Sequence, residues 1–480
     1  MNLNVPNLIS GTGMAGAALS IFAQTADHFI PPVSSDTWDQ RYWVDDSSFS
    51  SSCDSSDTGC VVFLMLGGEG EAGPPGGHMM EMAEHFGAMG VSIEHRFYGE
   101  SIIPNPNPNE GNFTNEHLQL LSVNQALQDY ACFIQQFPSI FNLPQNTRFY
   151  TFGGSYSGEL ASWMRIKYPN LVSGAIASSA PVSPIADYWG YDPIIIAALA
   201  NPTIGGSSDC ADSVVAAFQS LRFLLLSSDK ISKVLTDFKL CPSSDLSTDM
   251  DKRELLDFVS DDFMGLVQYN DVNNPEKNIK LSCNSMTSSD FGESPYDRLV
   301  NVTNARLTND CLGASYEDQL AQTCDGSYAE RAWLWQMCAD GSGHDQTCYE
   351  DLGCPFVEEY ASFDQFLQFC SDCFGVDEEG KEMEIALKEN FASFGGNTTV
   401  DEGFDVTKIV YINGDIDPFH FGGVSSNTTS GIERDVIALI VEGGSHCQDM
   451  KWSSENDSES MQNVKLGKLR MLEKWINNKQ

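Results

Sequence analysis

A serine set among glycines is the first residue in this chain that could do covalent chemistry. Phe152-Gly153-Gly154-Ser155-Tyr156-Ser157-Gly158 follows an aromatic run, RFYTF at 148–152, and precedes a helical pattern, GELASWMRIKY at 158–168. A nucleophile elbow belongs at such a strand-to-helix turn. Small neighbours permit its strained backbone, and the serine oxygen stands at a helix N-terminus, where N–H groups and the helix dipole favour a developing oxyanion. The usual spacing is G-x-S-x-G. Here Gly153 fits, but Ser157 stands at the second position after Ser155 and Gly158 at the third. A plain glycine-rich turn would read the same way, so the serine needs partners.

Those partners follow two later apolar runs. KIVYI (408–412) leads into Asn413-Gly414-Asp415-Ile416-Asp417-Pro418-Phe419, and VIALIV (436–441) leads into Glu442-Gly443-Gly444-Ser445-His446-Cys447. The order serine, acid, histidine is that of the α/β-hydrolases. Both loops stand at the C-terminal ends of expected strands, where open α/β sheets bind ligands. After Ser155 the only histidines are His344, His420 and His446. His344 falls in the cysteine-rich middle and His420 abuts the acid loop, so His446 fits best as general base. The spacing leaves Asp415 and Asp417 both open as the acid. The expected oxyanion donors are the N–H groups of Tyr156 and of Gly68, in the Gly67-Gly68-Glu69-Gly70 loop after VVFLML (61–66). That loop reads equally as a tight turn.

The elements that would position these residues alternate. Strand-like runs at 61–66, 91–95, 148–152 and 171–178 are separated by helical patterns at 78–90, 117–136 and 158–168. Such alternation implies βαβ units and a mostly parallel sheet. The rhythm breaks between 190 and 395, where long helical segments and most cysteines lie. It returns near 405, and MQNVKLGKLRMLEKWI at the C-terminus has the apolar spacing of a helix packed on the sheet. The expected organisation is a core at 24–189 carrying the nucleophile, an inserted helical lid at 190–395, and a second core part at 396–480 carrying acid and histidine.

Composition sets the compartment. Acidic side chains number 67 against 26 basic ones, a net charge of -41 that repels nucleic-acid phosphates. The sequence has 14 cysteines. With N-x-S/T sequons at Asn112, Asn301, Asn397, Asn427 and Asn456, they favour a disulfide-bonded glycoprotein of the secretory pathway. Cys370 and Cys373 form a C-x-x-C without a second ligand pair, so no metal is expected. Residues 8–23 read as an apolar leader lacking a basic start, giving a candidate signal peptide over 1–23. No later apolar run is long enough for a membrane span.

At this point the residues resemble a known family, that of prolyl carboxypeptidase, dipeptidyl-peptidase II and thymus-specific serine protease. The resemblance spans nearly the whole chain. It is carried by Asp27-His28-Phe29, Gln40-Arg41-Tyr42, Glu94 to Ser101 (EHRFYGES), Gln125 to Asp129, Gly153 to Gly158, the N-G-x-x-D-P loop and the G-G-S-H loop. Trp333-Leu334-Trp335-Gln336 looks closest to the thymus-specific branch. The resemblance implies an α/β-hydrolase core with an inserted helical lid. It also implies Ser155, Asp417 and His446 as the triad, with no cofactor. The activity implied is exopeptidase cleavage of short peptides next to proline, in a secreted, lysosomal or vacuolar protein. It places Glu159, Phe419, Trp333 and Gln336 around the substrate. Glu159 stands where relatives carry an apolar residue, Phe419 where they often carry tryptophan, and Cys447 where one branch carries histidine. A carboxylate at 159 would favour a basic group on the substrate. The charges of EHRFYGES read as a buried structural network. Oligomeric state is left open, a homodimer being one option. An esterase or lipase, or a catalytically silent binding protein, remain the alternatives that the lone elbow permits.

Overall fold

A computed structural model describes residues 16–477, apart from 31–35, 51–52, 54–58, 184, 275–276, 328, 341, 344, 377–406 and 426–434. Its centre is an eight-stranded sheet in the order β1-β2-β4-β3-β5-β6-β7-β8. The strands are β1 (Ala18–Thr25), β2 (Thr37–Asp45), β3 (Val61–Leu66), β4 (Met89–Ile93), β5 (Arg148–Gly154), β6 (Val172–Ser178), β7 (Ile409–Gly414) and β8 (Val436–Val441). From β4 through β8 every pairing is parallel. β3 and β7 are buried at every position, as strands covered on both faces must be. The helices Gly77–Phe86 and Glu459–Asn477 border one buried layer, where Phe63, Tyr150, Ile176, Leu472 and Trp475 pack together.

The two antiparallel edge strands were not expected. Residues 18–23, assigned to a leader by their apolar composition, instead form most of β1 and pair with β2, Phe22 opposite Gln40. The run ALSIFA suits a strand as well as a leader, and tertiary contacts decide. The Phe22 ring meets Phe133 edge-on at 5.3 Å, and Gln24 Nε2 donates to Gln40 Oε1 and to the Asp129 carbonyl, both at 3.0 Å. Residues 1–15 lie outside the described residues.

The charges of EHRFYGES stitch this edge to the sheet. Arg41 donates from Nε and Nη2 to the two oxygens of Glu94 at 2.8 and 2.7 Å, and Ser101 Oγ donates to Glu94 at 2.6 Å. Arg96 grips both oxygens of Asp129 at 2.6 Å. Buried charges survive only when paired in this way.

Between β6 and β7 the chain turns helical. Helices Tyr191–Ala200, Ser208–Leu225, Asp249–Gln268 and Pro295–Ala305 enclose a core of their own around Phe218, Leu221, Val259, Phe263 and Leu299. The later part, including helix Phe363–Phe374, packs differently. Ala332, Leu334, Met337, Phe366 and Phe374 join the cluster that contains Leu127 and Phe133 beneath the sheet. Disulfides pair Cys53–Cys60, Cys210–Cys283, Cys241–Cys311, Cys324–Cys373, Cys338–Cys370 and Cys348–Cys354. Cys370 and Cys373 thus bond to different partners, one turn apart on one helix. The atoms of Asp192, Cys348 and Cys354 lie within 4.8 Å of one another, but the two sulfurs are bonded to each other and offer no thiolate to a metal. Sequons Asn301 and Asn456 are exposed, Asn112 is half-buried, and Asn397 and Asn427 lie outside the described residues. Among the described residues, no helix is long and apolar enough to cross a membrane.

Candidate active site

The elbow forms where β5 meets the helix Tyr156–Lys167. Ser155 caps that helix at φ 57°, ψ -133°, a positive φ that a non-glycine residue rarely adopts. The Ser155 N–H donates to the Ser178 carbonyl at 2.9 Å, pinning the turn to β6. The close packing also explains the altered spacing. A Cβ on Gly153 would stand 1.9 Å from the Ser157 carbonyl oxygen, and one on Gly158 would stand 2.8 Å from the Ser178 carbonyl oxygen. Ser157 is tolerated because the opposing residue is itself a glycine: a Cβ on Gly68 would come within 3.2 Å of the Ser157 Cβ. Gly68 therefore lies against the elbow. Ser157 Oγ donates to the Gly154 carbonyl and accepts from the Gly154 N–H, both at 2.9 Å, which occupies it as a structural brace.

The expected acid and base lie just beyond the ends of β7 and β8. Both Asp417 oxygens lie 2.9 Å from His446 Nδ1, and both side chains are buried. Asp415 does other work: its Oδ1 accepts the Gly443 N–H at 2.6 Å and so shapes the histidine loop. His446 Nε2 is buried and has no hydrogen-bond partner among the described residues. Burial works against charge on His446, but the Asp417 carboxylate outweighs it and raises the pKa above the ordinary histidine value. The loops meet through their neighbours. Cys447 N–H donates to Ser179 Oγ at 2.8 Å, and a Cβ on Gly154 would stand 2.7 Å from Cys447 Sγ. Cys447 is a buried free thiol rather than a disulfide partner. Beneath the loop, Asp449 accepts from Ser178 Oγ at 2.9 Å and from Lys468 Nζ at 2.8 Å.

The residues expected around the substrate separate into two groups. Phe419 lies with its ring centroid 5.1 Å from that of His446. Trp333 is half-exposed and tilts over Tyr156 at 5.7 Å. Glu159 is one helical turn from Ser155 and 2% exposed, so it is not turned to solvent. Its charge acts on Tyr188, just ahead of the first inserted helix. Gln336 departs from expectation. It is fully buried, and its amide hydrogen-bonds to the Tyr156 hydroxyl at 2.8 Å, so it stands behind the elbow rather than on the cleft wall.

Three residues escaped the sequence reading. The Gln268 carbonyl accepts the His446 N–H at 2.9 Å, and the Tyr269 ring stands edge-on to His446 at 5.9 Å. Both end an inserted helix, and nothing local marks them. Glu69 lies in the Gly67 to Gly70 loop, near enough to His446, Tyr98 and Tyr269 to act on each electrostatically. Burial raises its carboxyl above the ordinary range, with the His446 imidazole pulling the other way. Its place beside Gly68, the expected oxyanion donor, was a signal that could have been read.

Comparison with known proteins identifies the family. Residues 24–466 match the family model described as serine carboxypeptidase S28. The chain is 31% identical over 455 residues to mouse thymus-specific serine protease, covering 92% of this chain and 84% of that protein. It is 26% identical over 470 residues to bovine lysosomal Pro-X carboxypeptidase, covering 94% and 87%. Among solved structures, proline iminopeptidase of Mycobacterium smegmatis aligns over 95% of this chain and 99% of that one, at 10% identity and a TM-score of 0.37. A serine at the turn after β5, an aspartate and a histidine in the loops after the parallel strands β7 and β8, and a family match over most of the chain lead to one conclusion: this protein belongs to the serine carboxypeptidase S28 family and is a serine-type peptidase on an α/β-hydrolase fold.

Proposed function

We propose that the protein is an exopeptidase of the secretory pathway that cuts short peptides through Ser155, His446 and Asp417. The observation that carries this reading is Asp417 holding His446 Nδ1 through both oxygens at 2.9 Å, which leaves the buried Nε2 to take a proton. His446 accepts the Ser155 proton as Ser155 Oγ attacks the scissile carbonyl, and Asp417 stabilises the imidazolium. The Tyr156 and Gly68 N–H groups receive the oxyanion. His446 then protonates the leaving amine, and water resolves the acyl-enzyme by the reverse proton path. Phe419 and Glu159 are the side chains proposed to read the residue before the cut, a proline or a basic residue. The disulfides and exposed sequons support a secreted or lysosomal site of action.

A fluorophosphonate probe tests the assignment. Ser155→Ala should abolish labelling and lower peptide turnover by roughly 10⁴-fold or more while the protein stays folded. Labelling that persists refutes Ser155. Matched peptides blocked at the amino or carboxyl end then test exopeptidase action: an exopeptidase loses one of the pair, whereas equal cleavage of both marks an endopeptidase.

A further inference from the structure

Tyr156 links two features that the reaction as described leaves separate. Its backbone is the first residue of the elbow helix, so its N–H is one of those with no acceptor inside the helix and is free to meet an oxyanion. Its side chain runs the other way, into the interior, where it is 2% exposed. There the hydroxyl lies 2.8 Å from Gln336 Nε2 and 3.2 Å from His95 Nε2.

His95 Nδ1 is 2.7 Å from the Arg96 carbonyl, which can only accept, so Nδ1 carries the proton. Burial pushes the His95 pKa down to about 4, so the ring is neutral and Nε2 accepts. The Tyr156 O–H therefore donates to His95, and its oxygen accepts from the Gln336 amide. Gln336 Oε1 accepts from the Tyr98 hydroxyl, which fixes which way the amide faces. The Gln336 amide also donates to Ser342 Oγ at 3.1 Å; Ser342 Oγ donates to Asp340 Oδ2 at 3.2 Å, and that oxygen takes the Val123 N–H at 2.9 Å. The side chains of the chain from His95 to Gln336 thus have each donor and acceptor matched, as a buried polar network requires to hold one geometry.

Gln336 arrives from the inserted segment, 180 residues away in sequence from Tyr156. It opens a π-helical turn, Gln336–Asp340, which Cys338 ties to Cys370. Such turns are uncommon and gather at functional sites.

We propose that Gln336 is a positioning residue for peptide hydrolysis: by gripping the Tyr156 hydroxyl, it holds the Tyr156 N–H where the oxyanion on the acyl carbon attacked by Ser155 develops. The inserted segment thereby completes the oxyanion site from beneath as well as bordering the cleft. This rests on the reading of Ser155 as nucleophile and of the Tyr156 N–H as oxyanion donor.

The experiment compares Tyr156→Phe, Gln336→Met and the double variant in the full chain, with Ser155→Ala alongside. Losing one oxyanion donor outright costs ~10²–10³-fold in kcat, so loosening one should cost about 10-fold. Each single variant should lose about that factor in kcat with KM little changed. Each should also bind a peptide aldehyde, which forms a tetrahedral adduct, more weakly by a similar factor. Because both substitutions break the same bond, the double variant should be no worse than the poorer single one. Should Gln336→Met fail to fold, Tyr156→Phe alone carries the kcat and aldehyde comparison. Full kcat in Tyr156→Phe with Ser155→Ala inactive overturns this inference alone. Losses that multiply in the double variant, or that appear in KM and melting temperature rather than kcat, overturn it too. Activity retained by Ser155→Ala overturns both this inference and the reading beneath it.

Discussion

In the sheet-based core, Arg96 and Asp129 are both fully buried and meet through two hydrogen bonds of 2.6 Å. In the inserted helices, Asp345 is equally buried, but Arg253 reaches only its Oδ1, at 3.0 Å, and Oδ2 has no hydrogen-bond partner among the described residues. Asp192 is starker. Its Oδ1 has no such partner, and its Oδ2 lies 3.2 Å from Cys354 Sγ, a disulfide sulfur with no proton to donate. The proton of any hydrogen bond there must come from the carboxyl itself. Burial accordingly raises Asp192 well above the usual carboxylate range and Asp345 to about 7. Arg96 and Asp129 in the core are thus buried as a matched pair, while Asp192 and Asp345 in the insert are buried acids that favour the protonated form. The difference teaches that the two regions should respond differently to pH, the insert gaining stability in an acidic compartment.

The largest expected effect lies in the core and sharpens the role of its buried carboxylate. Asp417→Asn should lower turnover by roughly 10⁴-fold, since the imidazole loses its orienting anion. It should also move the acid limb of kcat/KM to lower pH, because the carboxylate is what raises His446. A pH–rate profile of the residual activity measures both, and a limb that stays in place would detach Asp417 from His446.

Next in size, Arg96→Leu leaves Asp129 without its guanidinium partner and should cost about 3–5 kcal/mol in denaturant unfolding. The loss should be similar at pH 5 and pH 7.5, since the contact removed is a guanidinium–carboxylate pair shut away from solvent. A loss confined to one pH would break the contrast with the insert.

Asp345→Asn addresses the other side. A carboxyl whose folded pKa is about 7, against an ordinary value of 3.8, contributes its stability in full below the lower value. That contribution is lost as pH rises toward the higher one. The parent should therefore melt at higher temperature at pH 5 than at pH 7.5, and Asp345→Asn should flatten this slope by on the order of 1–2 kcal/mol. An unchanged slope would assign the pH response elsewhere. Asp192 is the next group to substitute.

The smallest effect concerns specificity. Glu159→Met exchanges a buried carboxylate one turn from Ser155 for an apolar side chain of similar length. It should shift the ratio of kcat/KM for matched Lys and Pro peptides toward proline by about 10-fold, the scale of a single pocket contact. An unchanged ratio means that Glu159 does not face the substrate.

Much of this molecule was determined by short stretches of sequence. The VVFLML and VIALIV runs are strands at the residues read from their apolar runs, and RFYTF and KIVYI lie in strands shifted by no more than two residues at either end. The serine between glycines adopts the positive φ that an elbow demands. Such features follow from local sterics, turn chemistry and hydrophobic period, which a few neighbouring residues dictate. Tertiary structure alone decided the rest. Asp415 and Asp417 are two residues apart and chemically identical. Only the position of the Gly443 N–H and the His446 ring gives the first a structural bond and the second the imidazole. ALSIFA became an edge strand because Phe133 and Gln40 were there to receive it. Cys370 and Cys373 found separate partners because their helix lies between two other segments. Gln336 went behind Tyr156 rather than into the cleft because Tyr98, Ser342 and Tyr156 together satisfy its amide. In each case the deciding partner is far along the chain, and its distance and direction exist only once the chain has folded.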